Sequence, residues 1–227
     1  MGHLIRTAIA LFTISVVTFA SVAEAGDARP STPDEALAAV MDGNIRYVKG
    51  KTKATNPPSA RPDLAAGQAP IAAFIRCADS RVAPEVIFDQ PLGDVFVTGV
   101  AGNIVTPEVI ASLEFGVAVL GSKIIVVMGH SSCGAVHAAI QHRNSSDELP
   151  GSLPQLIDQI IVPCTLDVDP EKVAEHSAEA ISCNANKGIG QLTARSPVLA
   201  EAVKNGTLKI IAGVHDLESG EFTITQQ

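Results

Sequence analysis

The 227-residue chain has no Trp, and aromatic residues make up only 4% of it. Apolar residues still reach 46%. A single core is therefore available, but it has to be built mainly from Val, Ile, Leu and Ala. Positive charge is also in short supply: 16 Lys and Arg face 24 Asp and Glu, for a net charge of -8. No basic cluster occurs, and neutralising a phosphate backbone requires one, so nucleic-acid binding is excluded. The chain has no Cys-x-x-Cys pair, which excludes a thioredoxin-like redox motif. It also has no internal repeat and no low-complexity stretch. Beyond the first 25 residues, no segment reaches 18 uninterrupted apolar residues, the signature of a membrane span. The length suits one domain of ordinary size with extensions.

The first 25 residues stand apart. Arg6 gives a positive start, residues 7–20 are apolar and uncharged, and Ala23-Glu24-Ala25 places small residues where signal peptidase reads. This is the pattern of a cleaved secretory signal. The apolar stretch is short against the roughly 20 residues that cross a bilayer. The expectation is a mature chain starting at Gly26, periplasmic or secreted, with no membrane association after cleavage. Residues 26–70 are expected to form an N-terminal helical arm and a connection, and residues 71–227 the catalytic domain.

Thr32-Pro33-Asp34-Glu35 reads as a helix start, with Thr32 as N-cap and Glu35 completing a capping box. That helix is expected to run to about Val48. Residues 50–70, with several prolines, read as an extended connection. From residue 71 the pattern alternates. IAAFIRC (71–77), DVFVTGV (94–100) and KIIVVMGH (123–130) read as buried strands, with TPEVIASLEFGVAVLG (106–121) as a helix between the last two. Residues 154–204 read as mostly helical, broken around Pro163 and Pro170. LKIIAGV (208–214) and EFTIT (221–225) read as closing strands. Continuous apolar strands alternating with helices predict an α/β fold: a mainly parallel sheet with an antiparallel edge strand and helices on both faces.

Two segments carry the chemistry, each directly after a strand: Cys77-Ala78-Asp79-Ser80-Arg81 and His130-Ser131-Ser132-Cys133-Gly134. In an open α/β sheet, the loops at the carboxyl ends of the strands form the ligand crevice. The two segments should meet there. Two thiolates and one imidazole suit Zn²⁺, and three protein ligands leave a fourth position open for water. A Cys77–Cys133 disulfide, or two merely apolar cysteines, would be the plainer reading. The presence of Asp79, Arg81 and His130 beside them argues against it. A cysteine-phosphatase loop fails on spacing, because Arg81 is too close to Cys77.

Cys-Ala-Asp-Ser-Arg, followed 53 residues after Cys77 by His-Ser-Ser-Cys-Gly-Ala, resembles the β-class carbonic anhydrases. The resemblance extends over about residues 34–226. It takes in Gln68, Ala101-Gly102-Asn103 and Gly213-x-x-Asp216-Leu217-x-x-Gly220. It implies zinc held by Cys77, His130 and Cys133, and reversible hydration of carbon dioxide to bicarbonate. Asp79 would orient the attacking water and Arg81 would hold Asp79; in a closed state Asp79 itself becomes a zinc ligand. Gln68 would donate to substrate, Phe96 would line an apolar substrate pocket, and Gly102 would allow close backbone approach or serve as an ordinary turn glycine. The partners implied are carbon dioxide or bicarbonate and a second copy of the chain, as a homodimer or dimer of dimers whose N-terminal helices embrace the partner and whose active sites lie near the interface.

Several features sit outside that pattern. His137 and His142 follow the second motif and read as exposed helix positions. Cys164 and Cys183 match no ligand position; they could pair in an oxidising compartment, which sequence leaves open. Gly99 and Val100 stand where Arg and Asn are frequent, and His215 where Tyr is common. One subgroup of the family builds a second, regulatory bicarbonate pocket from Trp, Arg and Tyr; here the matching positions are Phe74, Gly99 and His215. Cooperative bicarbonate inhibition is therefore not expected near neutral pH. Hydrolysis of carbonyl sulfide or carbon disulfide at the same site, and a non-catalytic zinc or bicarbonate module, are the competing functions.

Overall fold

The computed structural model describes residues 29–227; the proposed signal segment, residues 1–25, lies outside them. Five strands form one sheet in the order β2-β1-β3-β4-β5. They are β1 (Ala72–Arg76), β2 (Val95–Gly99), β3 (Ile124–His130), β4 (Lys209–His215) and β5 (Phe222–Gln226). The first four are parallel, and β5 pairs antiparallel with β4. The expected mainly parallel sheet with an antiparallel edge is what forms.

Alternation along the central strands explains the two helical layers. Ala72 and Phe74 of β1, with Ile124, Val126 and Met128 of β3, face one core. Ala73 and Ile75, with Ile125 and Val127, face the other. All seven residues of β3 are buried, as a parallel strand covered on both sides must be. On the first side lie α1 (Pro33–Val48), α3 (Pro84–Ile87), α5 (Gly134–Gln141) and α6 (Leu153–Cys164). On the second lie α4 (Pro107–Ala118) and α8 (Pro197–Lys204). The long α7 (Val173–Arg195) contributes Ala180 and Ile181 to the first core and Ala185 and Leu192 to the second.

The helix starting at Thr32 carries its capping box: the Thr32 hydroxyl accepts from the Glu35 amide, and the Glu35 carboxylate accepts from the Thr32 amide. α1 packs on its own chain, burying Ala36 and Val40 completely. Buried Asn44 ties it to both ends of the fold, donating to the carbonyls of Ile87 and Gly220 and accepting from the Phe222 amide. Residues 50–70 differ from the extended connection expected. A 3-10 turn at Pro58–Ala60 leads into α2 (Arg61–Ala66). The reason is local: Pro58 and Pro62 fall in the first positions of these turns, where a fixed φ and a missing amide favour a helical start. The breaks expected around Pro163 and Pro170 form one interruption, residues 165–172, between α6, which ends at Cys164, and α7.

Candidate metal centre

The carboxyl ends of β1 and β3 are neighbours, with Arg76 opposite Met128. Cys77, one residue past β1, therefore comes beside His130, the last residue of β3. Ser132 takes a positive φ of 57°, turning the chain so that Cys133 occupies the N-cap position of α5. Such a conformation in a non-glycine residue costs energy and is retained where a site needs it. Cys77, His130 and Cys133 are all buried, and their ligand atoms lie within 4.8 Å of one another.

Hydrogen bonding defines which atoms are free to bind. His130 Nδ1 lies 3.0 Å from the Ser131 carbonyl, to which it donates. Its Nε2 is buried with no hydrogen-bond partner, although a buried polar atom ordinarily has one. That atom turned toward two cysteines is the donor set a borderline-soft divalent cation requires. The neighbouring Cys133 thiol, assisted by the Gly102 amide, pulls the Cys77 thiol below its ordinary range despite burial. The same contact with Cys77, followed by burial, pushes the Cys133 thiol up, against the pull of the first-turn amides of Val136 and Ala135.

Asp79 and Arg81 form a two-pronged pair. Arg81 Nε donates to Asp79 Oδ1 at 2.9 Å, and an Arg81 terminal nitrogen donates to Oδ2 at 2.7 Å. The Arg81 amide adds a third bond at 2.9 Å. The guanidinium holds the Asp79 carboxyl well below the usual carboxylate range, so Asp79 is a charged acceptor at neutral pH. Its Oδ2 lies 4.0 Å from His130 Nε2. It thus faces the ligand cluster while tied to the exposed Arg81 rather than standing among the ligands.

Gly102 meets the cluster through its backbone. Its amide donates to Cys77 Sγ at 3.2 Å, and its φ is 73°. A Cβ here would come within 2.5 Å of Ile160 Cδ1. Both conformation and space demand glycine, beyond the needs of an ordinary turn.

Gln68 and Phe96 are not brought to the cluster within one chain. Exposed Gln68 precedes β1 whereas Cys77 follows it, a separation of roughly 17 Å over the five strand residues at ~3.3 Å each. Phe96 pairs with Ala73, about 13 Å along the strand direction from Cys77, and packs against Phe115 and Gly116 of α4. His137 and His142 are half-buried, in and just after α5, rather than fully exposed.

Three contributors had no place in the sequence reading. Arg76 lays its guanidinium carbon 3.5 Å from where a Cβ at Gly99 would stand and donates to the Cys77 and Asp79 carbonyls at 2.6 and 3.4 Å. A guanidinium does therefore occupy the space beside Gly99, supplied from β1; its place next to Cys77 was the available signal. Ser131 buttresses the second loop, its hydroxyl accepting from the Leu217 amide at 2.8 Å. Asn184 donates to the Gly102 carbonyl at 2.7 Å from 82 residues away. No local signal could have shown that contact.

Cys164 and Cys183 form a disulfide joining α6 to α7, while Cys77 and Cys133 are free. Two thiols and an imidazole, delivered with a tethered carboxylate to the carboxyl end of a parallel sheet, define a metal-binding α/β enzyme. Residues 72–222 match the family described as carbonic anhydrase. Over 197 residues the chain is 37% identical to carbonic anhydrase 2 of Mycobacterium tuberculosis, covering 86% of this chain and 94% of that one. Over 194 residues it is 36% identical to a carbonic anhydrase of Pseudomonas aeruginosa, covering 81% and 84%. Among solved structures, a tetrameric β-carbonic anhydrase of Sordaria macrospora superimposes with a TM-score of 0.65 at 30% identity, covering 74% of this chain and 86% of its own. The chain belongs to the β class of the carbonic anhydrase family, whose reaction is the hydration of carbon dioxide.

Proposed function

We propose that the protein hydrates carbon dioxide reversibly to bicarbonate and a proton, using Zn²⁺ held by Cys77, His130 and Cys133. The observation that carries this reading is the buried, unpartnered His130 Nε2 closed in by two free cysteines. The bidentate Asp79–Arg81 pair stands beside them. When bound, zinc supplies Lewis-acid activation, lowering the pKa of water from ~15.7 toward about 7. The chain's own residues do the rest. Asp79, kept ionised by Arg81, accepts a hydrogen bond from the attacking water and aims its lone pair at the carbon. Arg81 keeps Asp79 off the metal. Donation to the Ser131 carbonyl fixes the His130 tautomer, so that Nε2 remains the ligand.

Gln68 as substrate donor and Phe96 as pocket wall require a second copy of the chain, because within one chain the strand separates them from the metal ligands. This supports a homodimer, or a dimer of dimers, with the active site at the interface. The apolar segment 7–20 with Ala23 and Ala25, together with the Cys164–Cys183 disulfide, supports export to an oxidising compartment with a mature start at Gly26.

A stopped-flow carbon dioxide hydration assay on the zinc-loaded mature chain is the test. Rates no faster than buffer would overturn the reading. Turnover of carbonyl sulfide or carbon disulfide in preference to carbon dioxide would replace it with the competing hydrolase.

A further inference from the structure

Gly102 presents a mechanical problem. Its positive φ and the 2.5 Å approach of a Cβ to Ile160 strongly favour glycine. Yet glycine is the residue least able to hold its own conformation, and its amide donates to a metal-ligand sulfur. Something outside the loop must fix it.

The geometry points to Asn184 as a positioning residue for the metal centre, acting through Gly102 on Cys77; this rests on the metal-dependent reading above. Asn184 is 7% exposed and donates from Nδ2 to the Gly102 carbonyl at 2.7 Å. Gly102 is thus held at both ends, its amide on Cys77 Sγ and its carbonyl on α7. Asn184 directly follows Cys183, whose disulfide to Cys164 ties α7 to α6, and α6 is the helix that presses Ile160 onto Gly102. Two helices clasped together therefore close on one glycine: Ile160 fills the space above it and Asn184 sets its orientation. An amide aimed at a ligand thiolate withdraws charge from the sulfur and fixes its direction. Hydrogen-bond partners of metal ligands are worth about 10–100-fold in metal affinity or activity.

The experiment uses the full mature chain loaded with Co²⁺, whose thiolate-to-metal charge-transfer absorption reports directly on the ligand sulfurs. Asn184→Asp keeps the side-chain shape but replaces the donor with an acceptor; Asn184→Ser is a milder truncation. Ile189→Ala, on the same helix and away from Gly102, serves as the packing control. The expected result is a shift of the charge-transfer band to lower energy and metal release to a chelator about 10-fold faster in both Asn184 variants. The control should show the wild-type band and release rate, even if it melts at lower temperature. Release within twofold of wild type and an unmoved band in a folded Asn184 variant would overturn the assignment, as would the same changes in Ile189→Ala. Wild-type protein that binds no Co²⁺ would overturn the metal reading itself, a separate failure.

Discussion

The chain uses two pairs of cysteines in opposite ways. Cys77 and Cys133 stand at the carboxyl end of the sheet, beside an imidazole with a free nitrogen, and remain thiols. Cys164 and Cys183 lie at the end of α6 and within α7, and are joined covalently. The element each cysteine ends or occupies, rather than the residue type, decides its chemistry. Loops after parallel strands converge and can gather three ligands on one point. Cys164 and Cys183 instead meet as a single pair across two adjacent helices, and that contact is a crosslink. On the reading proposed above, the first pair holds the metal, and the second ties together the two helices that close on Gly102.

The strongest way to break this contrast is to swap the expected losses. Cys77→Ser should abolish fast hydration and lose most of the metal while the fold stays intact, since the disulfide is untouched and serine is nearly the size of cysteine. Elemental analysis with circular dichroism checks it; full metal content in the variant would remove Cys77 from the ligand set.

Removing the other pair should do the reverse. In the chain-entropy view, a crosslink over 19 residues contributes about 3 kcal/mol. Cys164→Ser with Cys183→Ser should therefore melt several degrees lower while keeping one metal per chain. Loss of metal in the still-folded protein would show that the clasp of α6 and α7 around Gly102 is needed for binding itself.

Arg81→Ala sharpens the contrast within the first region by dividing metal binding from catalysis. With its bidentate partner gone, Asp79 is free to misorient, so kcat/KM should fall by roughly 10–100-fold with metal content unchanged. Near-normal hydration would show that the pair is dispensable.

The smallest effect concerns bicarbonate. Phe74 is wholly buried against Phe88. Burial, then proximity to His130, holds His215 below the ordinary imidazole range and hence neutral. Arg76 supplies a guanidinium beside Gly99, but its Nη1 is committed to the Cys77 and Asp79 carbonyls. Inhibition at pH 7.5–8 should be shallow and hyperbolic. A sigmoidal loss of activity would show that Arg76 has taken over the anion-binding task, and Arg76→Ala should then abolish it.

Legibility followed range in the chain. The α1 cap was plain because Thr32 and Glu35 are three residues apart, and the buried strands because their apolar runs are continuous. The helical turns at residues 58–66 were obscured, since proline marks an extended segment and a helix start alike. Asn184 and Ile160 were invisible as site residues because their roles are defined by contacts across the fold.

By itself the sequence determined the Cys77, His130 and Cys133 cluster, the Asp79–Arg81 pair and the sheet type. Each is written in short motifs whose spacing survives any detail of packing. Only the tertiary structure decided that Cys164 meets Cys183, that Gln68 and Phe96 lie away from the metal ligands of their own chain, and that Gly102 is held between α6 and α7. Those facts depend on which helices cross which strand ends, and the side-chain packing that settles it is distributed over residues far apart in the chain.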